Sequence, residues 1–338
     1  MSAVSRVLLF ANLAPAFLFL TSVFAFSQTS LNDVHITPRA SVGSTTVSTV
    51  TIGRSARVLR SDATLVLVPV SVTDDLNRLV SGLHQENFQV FEGKQAQQIR
   101  HFSSEDEPVS VGFVVDVSGS MKDKMDRVQE AVHQFCEIAN LQDEFFMITF
   151  SEEPRLVQDF TNSPSDIEQQ MLFAHSQGRT SLLDAIYMGL EKMRDAKYAR
   201  KALLIISDGG DNHSRYGSRE VKAAVKESDV MIYSIGIFDR YVPTQEELMG
   251  PELLSDISEP TGGHAFTLSN PVDMPQVAHH IGVELRTQYV LAYRPQEAPK
   301  DGKWHRISVK LQLPKKLAFL RVRARRGYYA IASAVEHH

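Results

Sequence analysis

The chain has 338 residues, long enough to bury a large core and to form about two domains. Hydrophobic residues make up 43% and charged residues 22%, the ordinary balance of a folded globular protein. The formal charge of −5 lacks the basic excess of nucleic-acid-binding domains, so no nucleic acid is expected as a partner.

The first residues are not expected to be part of the fold. Arg6 precedes "VLLFANLAPAFLFLTSVFAF", and the small residues Ala25 and Ser27 form a cleavage site at Ala25-Phe26-Ser27. This is the pattern of a secretory signal over 1–27, and it predicts an exported protein, periplasmic or secreted. The apolar stretch is long enough to span a bilayer, so an uncleaved N-terminal anchor is the alternative; membrane contact is expected only in that case. Cleavage removes Arg6 and no acid, which moves the charge from −5 to −6. Residues 28–60 are rich in Ser and Thr and read as a flexible leader or an edge strand.

Residues 61–104 read as short strands bounded by turn residues, among them "LVLVPVSVTD", "NFQVFEG" and "QQIRHF". From 109 to 287 the pattern changes to alternating strand and helix. "VSVGFVVD" is a continuous apolar run suited to a strand covered on both faces. Met125, Val128, Val132, Phe135 and Ala139 then recur at helical spacing. "FFMITFS" is a strand. "SLLDAIYMGLEKM" is a helix with Leu183, Ile186, Leu190 and Met193 on one side, and "KALLIISDGGD" is a strand ending in acids and glycines. Val221, Ala224 and Val225 mark a further helix and "VMIYSIGIF" a further strand. "ELLSDISEPTGGHAF" gives a helix, a Gly turn and a short strand, and a last helix covers about 271–286. Such alternation predicts a doubly wound, mostly parallel α/β sheet with helices on both faces. Residues 288–331 return to strands: "QYVLAYRP", "HRISVKLQL", "FLRVRAR" and "GYYA". Each flank is small for a stable sheet, so the two are expected to pair into one β-sandwich-like module from which the α/β domain emerges as an insertion.

Cys136 is the only cysteine, so no intramolecular disulfide can form. It falls on the apolar side of a predicted helix and reads as a buried, inert thiol. Arg321, Arg323 and Arg325 alternate along one strand and read as a solvated face, with an anionic glycan or membrane surface as the alternative. His279-His280 reads as surface or partly buried, and His337-His338 as too short for a site.

Three separated pieces carry the chemistry. Asp116, Ser118 and Ser120 follow the first α/β strand, Thr180 precedes a helix in "GRTSLLDAI", and Asp208 ends "ALLIIS". In an open parallel sheet Asp116 and Asp208 fall at the carboxyl edge, where such folds bind ligands. Carboxylates with hydroxyls suit a hard divalent cation, magnesium first, with manganese or calcium as alternatives. Taken singly, Ser118, Ser120 and Thr180 equally fit helix caps, and "SDG" a turn.

Together, "VVDVSGS", "GRTSLLDAI" and "LLIISDGGDN" resemble the three motif pieces of a von Willebrand factor type A domain with a metal-ion-dependent adhesion site, over about 109–287. "NFQVFEG", "YVLAYRP" and "RRGYYA" in the flanks resemble bacterial exported proteins built on such a domain. The resemblance implies that Ser118 and Ser120 ligate the metal directly and that Asp116 and Asp208 act through water. It implies a Thr180 contact that changes with ligand state. It also implies a non-enzymatic adhesion module that captures a protein partner through an acidic side chain. Two alternatives stand beside it. One is a metal-dependent hydrolase with Asp211 or His213 as base; the other is a structural subunit of an envelope assembly.

Overall fold

The computed structural model describes residues 65–238, 245–295, 301–313 and 319–330. The signal expected at 1–27, the leader expected at 28–60 and His337-His338 lie outside the described residues. In chain order the elements are β1 (Val66–Thr73), β2 (Phe88–Glu92), β3 (Gln95–Gln97), β4 (Ile99–Ser103), β5 (Ser110–Asp116), α1 (Met125–Cys136) and β6 (Glu144–Phe150). There follow β7 (Pro154–Thr161), α2 (Pro164–Leu172), α3 (Leu182–Lys192), β8 (Lys201–Ser207), α4 (Ser218–Glu227), β9 (Met231–Ile237), α5 (Gln245–Ser258) and β10 (Ala265–Leu268). The last are α6 (Met274–Arg286), β11 (Tyr289–Tyr293), β12 (Trp304–Leu311), β13 (Arg321–Ala324) and β14 (Gly327–Tyr329).

The central sheet runs β10-β9-β8-β5-β6-β7, and every pairing is parallel except that of β7. Each residue of β5 is buried, as its unbroken apolar run requires of a strand covered on both faces. Val111, Phe113 and Val115 face a core formed with Val128, Val132 and Phe135 of α1, Ile167 and Met171 of α2, and Ala278, Ile281 and Leu285 of α6. Val114 faces the opposite core, with Leu182 and Ile186 of α3, Val221 and Val225 of α4, and Leu254 and Ile257 of α5. Gly112, on the same side of the strand as Val114, leaves room for the Phe146 ring, which a β-carbon there would meet at 2.2 Å. The doubly wound sheet expected from the alternation is thus the observed fold.

β7 and α2 were not read from the sequence. β7 is a half-buried edge strand without apolar alternation, and α2 buries only Ile167 and Met171.

The flanking segments pair with each other. β1 lies between β11 and β13, and β12 lies between β2 and β14. Two four-stranded antiparallel sheets result, β13-β1-β11-β4 and β14-β12-β2-β3. Their inner faces share one core that includes Val68, Val70, Phe88, Val90, Leu291 and Ile307. The period-2 spacing of the valines in β1 is what puts them all on that face.

The arginine row corrects the reading of a solvated face. Arg323 reaches Glu284 of α6 at 2.9 Å, and Arg325 reaches Asp229 at 2.6 Å. Arg321 is exposed, while Arg323 and Arg325 are largely covered by the α/β domain. The polar row therefore faces a polar counterpart on the neighbouring domain, which no single-strand pattern can reveal.

A cavity of about 710 Å³ lies between the β module and the amino edge of the central sheet, with Leu65, Val109, Met231, Trp304 and Tyr329 in its wall. None of the five candidate site residues lines it.

Candidate functional site

The site forms where the chain leaves β5 and β8. These strands are parallel neighbours with Val115 opposite Ile206. The segment after β5 leads to α1 on one face of the sheet, and the segment after β8 leads to α4 on the other. Their divergence opens a crevice at the carboxyl edge, the place where open α/β sheets accept ligands.

Asp116 ends β5 fully buried. Its Oδ1 accepts the Ser118 backbone N–H at 2.8 Å, and its Oδ2 accepts the Ser207 hydroxyl at 2.6 Å. Ser207 Oγ in turn accepts the Gly209 N–H at 2.9 Å. This side-chain bridge fixes the β5 and β8 exits relative to each other. Gly209 adopts φ +76°, and a β-carbon there would meet the Phe238 ring at 2.5 Å, so only glycine makes the turn that follows Asp208.

Asp208 is 2% exposed. Burial first, and the neighbouring Asp208 charge second, push the Asp116 carboxyl up to about 7 from its ordinary value near 3.8. Two carboxylates thus share one poorly solvated rim. The counter-charge comes from Lys124, at the end of the 3₁₀ segment before α1, whose Nζ donates to Asp208 Oδ2 at 3.2 Å.

The hydroxyls do not serve as helix caps. Ser118 stands at the N-cap of the 3₁₀ segment Gly119–Lys124, yet its side chain makes no capping hydrogen bond. Instead Ser118 Oγ and Ser120 Oγ face each other at 3.1 Å, with Ser118 buried and Ser120 exposed. At the start of α3 the N-cap position belongs to Ser181, also without a side-chain cap, and its buried Oγ has no partner among the described residues. The capping alternative for Ser118, Ser120 and Thr180 is therefore not the one adopted.

Thr180 lies on the loop that meets the serine turn. Gly119 N–H donates to Gly178 O at 3.1 Å, and Gln177 N–H donates to Val117 O at 2.9 Å. The Asp208 loop grips Thr180 from the other side. Asn212 and His213 N–H donate to Thr180 O at 3.1 and 3.0 Å, and Asn212 Oδ1 accepts the Thr180 N–H at 3.1 Å. The Asp116 carboxylate holds the serine turn, the two serine hydroxyls face each other, and the Asp208 charge is felt at Asp116. Thr180 joins this group through the backbone of both adjoining loops.

Asp211 and His213, the candidate bases of the hydrolytic alternative, shape the loop instead. Asp211 Oδ1 accepts the Leu183 N–H at 3.3 Å and the Ser214 hydroxyl, and burial raises its carboxyl above the ordinary range. His213 is exposed and holds the loop by its backbone. Ser207, Lys124 and Asn212 were missed in the sequence. Ser207 had a local signal, a polar residue closing an apolar strand beside an acid. Lys124 had none, since its partner lies 84 residues away.

The donor set fits a hard divalent cation. It combines two crowded acids, hydroxyls not spent on caps, and no sulfur or imidazole. Among the described residues no group of three or more His, Cys, Asp or Glu is assembled, so a metal held by this set would rely on hydroxyl oxygens.

An open, doubly wound α/β sheet with a polar rim at its switch point, carried on a two-sheet β module, defines the class of protein. The von Willebrand factor type A domain family matches residues 110–280, and the chain belongs to that family of protein-interaction modules. No curated protein matches the chain. Solved structures with a similar fold include a von Willebrand factor type A protein from Catenulispora acidiphila, at 11% identity and TM-score 0.47, with 82% of this chain and 78% of that chain covered. BatB from Bacteroides thetaiotaomicron is similar at 15% identity and TM-score 0.42, over 52% of this chain and 98% of that chain. The corresponding domain of the type V pili tip protein Mfa5 from Porphyromonas gingivalis gives 14%, 0.42, 53% and 96%. No described helix is long and apolar enough to cross a membrane.

Proposed function

We propose that the rim holds a divalent cation, magnesium by its oxygen donors, through Asp116, Ser118, Ser120, Thr180 and Asp208, and that an exported form of the protein uses it to bind an acidic side chain of a protein partner. The observation that carries this reading is the pairing of two buried carboxylates with the facing Ser118 and Ser120 hydroxyls, which cap nothing. Bound there, the cation would supply an electrophilic position for a carboxylate oxygen of the partner. The serine hydroxyls bring oxygen without charge, so the set holds an ion without neutralising it in excess. The Ser207 bridge and the glycine turn keep the Asp116 and Asp208 segments in register for that task.

Thermal unfolding of the EDTA-treated full chain, with and without magnesium, tests the reading. A ligand at 100 times its Kd stabilises the native state by about 2.7 kcal/mol. Magnesium is expected to raise the Tm of the wild type, and Asp116→Ala or Ser118→Ala to abolish the rise. A rise that persists in both variants would refute the assignment.

A further inference from the structure

We infer that Lys124 is a built-in competitor for the metal rim: its ammonium group holds Asp208 when no cation is bound and sets how tightly a divalent ion is taken up. This rests on the metal reading above and adds a residue that the motif does not contain. The observation is the Lys124 Nζ to Asp208 Oδ2 contact of 3.2 Å, between side chains 20% and 3% exposed.

The charge count around the rim explains what the contact does. When both are ionised, Asp116 and Asp208 place two negative charges in a site that gives them almost no solvent. Among the described residues Lys124 is the cation paired with Asp208, so the metal-free rim has a net charge of about −1 when both acids are ionised. With a neutral residue at 124 that charge would be −2. A divalent ion entering the rim must therefore either displace the ammonium from Asp208 or tolerate it alongside. Both raise the free energy of the loaded state, because like charges in a poorly screened site repel strongly.

The same count gives the loaded rim its function. With the ammonium displaced from Asp208 but still beside the rim, two ionised acids, one ammonium and one divalent cation leave about +1, where a neutral residue 124 would leave zero. The remaining charge is of the sign and size that one partner carboxylate neutralises. Lys124 thus weakens metal binding by itself and favours metal and carboxylate arriving together.

Its place in the chain suits this role. Lys124 precedes Met125, which is buried in the core below α1, so the backbone at the base of the side chain is anchored. The four-carbon stem supplies reach without a rigid geometry, which lets the ammonium group leave Asp208 as the cation enters.

The test is a magnesium titration of the EDTA-treated full chain followed by thermal shift, on wild type, Lys124→Met and Lys124→Arg. For Lys124→Met, the magnesium concentration at half-saturation is expected to fall about tenfold, equivalent to about 1.4 kcal/mol. Its Tm without divalent ions is expected to drop below that of the wild type, since Asp208 loses its partner. Lys124→Arg keeps the charge and is expected to stay within about threefold of the wild-type half-saturation. If Lys124→Met is insoluble, Lys124→Gln carries the same expectation. A half-saturation for the neutral variants equal to or above that of the wild type overturns the inference while leaving the metal reading intact. A wild type that shows no magnesium shift overturns both.

Discussion

Replacing Arg323 with methionine removes one half of a charge pair that joins the β module to the α/β domain. Glu284 of α6 is fully buried. Its Oε2 accepts from Arg323 Nη2 at 2.9 Å, and its Oε1 accepts from the Tyr233 hydroxyl at 3.0 Å. Tyr233 also receives Gln288 Nε2 at 3.0 Å, and the same nitrogen lies 3.3 Å from Ser71 Oγ of β1. Burial above all, then the Glu284 charge, pushes the Tyr233 hydroxyl well above its ordinary range, so it remains a donor. In Arg323→Met the Glu284 carboxylate would keep only that hydroxyl among these partners. Breaking a buried pair in this way costs about 3–5 kcal/mol. Removal of the other half should cost less: the Arg323 side chain is 24% exposed and can turn its charge to water, so Glu284→Gln is expected to lose about 1–2 kcal/mol. The double variant should recover part of the Arg323→Met loss, because the remaining amide carries no charge. Urea unfolding of the full-length variants measures all three. If Arg323→Met lies within about 1 kcal/mol of wild type, the span of an ordinary surface change, the pair is not desolvated as argued. The same holds if Glu284→Gln is the more damaging single change.

Two further outcomes follow from burial. In the metal-free protein, folding keeps a proton on Asp116 between about pH 4 and 7 that the unfolded chain has released. The raised carboxyl therefore makes stability in EDTA fall as pH rises through that window and level off above it. Urea midpoints measured across it should show the fall in wild type and a smaller one in Asp116→Asn; equal slopes would remove the basis for the prediction. Burial, with the Glu168 charge as a smaller cause, pushes the Cys136 thiol up to about 12. Iodoacetamide at pH 8 is accordingly expected to leave native Cys136 unmodified and to label it in urea, as read by mass spectrometry. Rapid labelling of the native protein would show that the α1 core opens.

The central strands were legible because burial on both faces demands an uninterrupted apolar run. β5 and β8 have one, and each ends in a polar rim residue. The helices were legible where their buried positions recur at 3 and 4 residues, as Val128, Val132 and Phe135 do in α1. α2 and β7 escaped for the opposite reason, being short or lying at the edge with few buried positions. α5 begins at Gln245, ahead of the stretch that reads as helical from Glu252. Gly250 and Pro251, residues that ordinarily interrupt a helix, both lie within it. The pairing of the flanks was legible as an expectation from their small size, while the interleaving of β1 between β11 and β13 was not.

The five oxygen-bearing positions proposed for the rim were read from strand ends and loop starts, which are local properties. What those side chains do was not local. Whether Ser118 caps a helix or faces Ser120 depends on backbone geometry that the helix-cap pattern leaves open. Lys124 against Asp208, Ser207 against Asp116 and Arg323 against Glu284 are contacts between residues 84, 91 and 39 positions apart. Periodicity records which face of an element avoids water, so the sequence alone determined the layers and the rim. The choice of partner for each buried charge is made only when those layers are brought together, and that was decided by the tertiary structure.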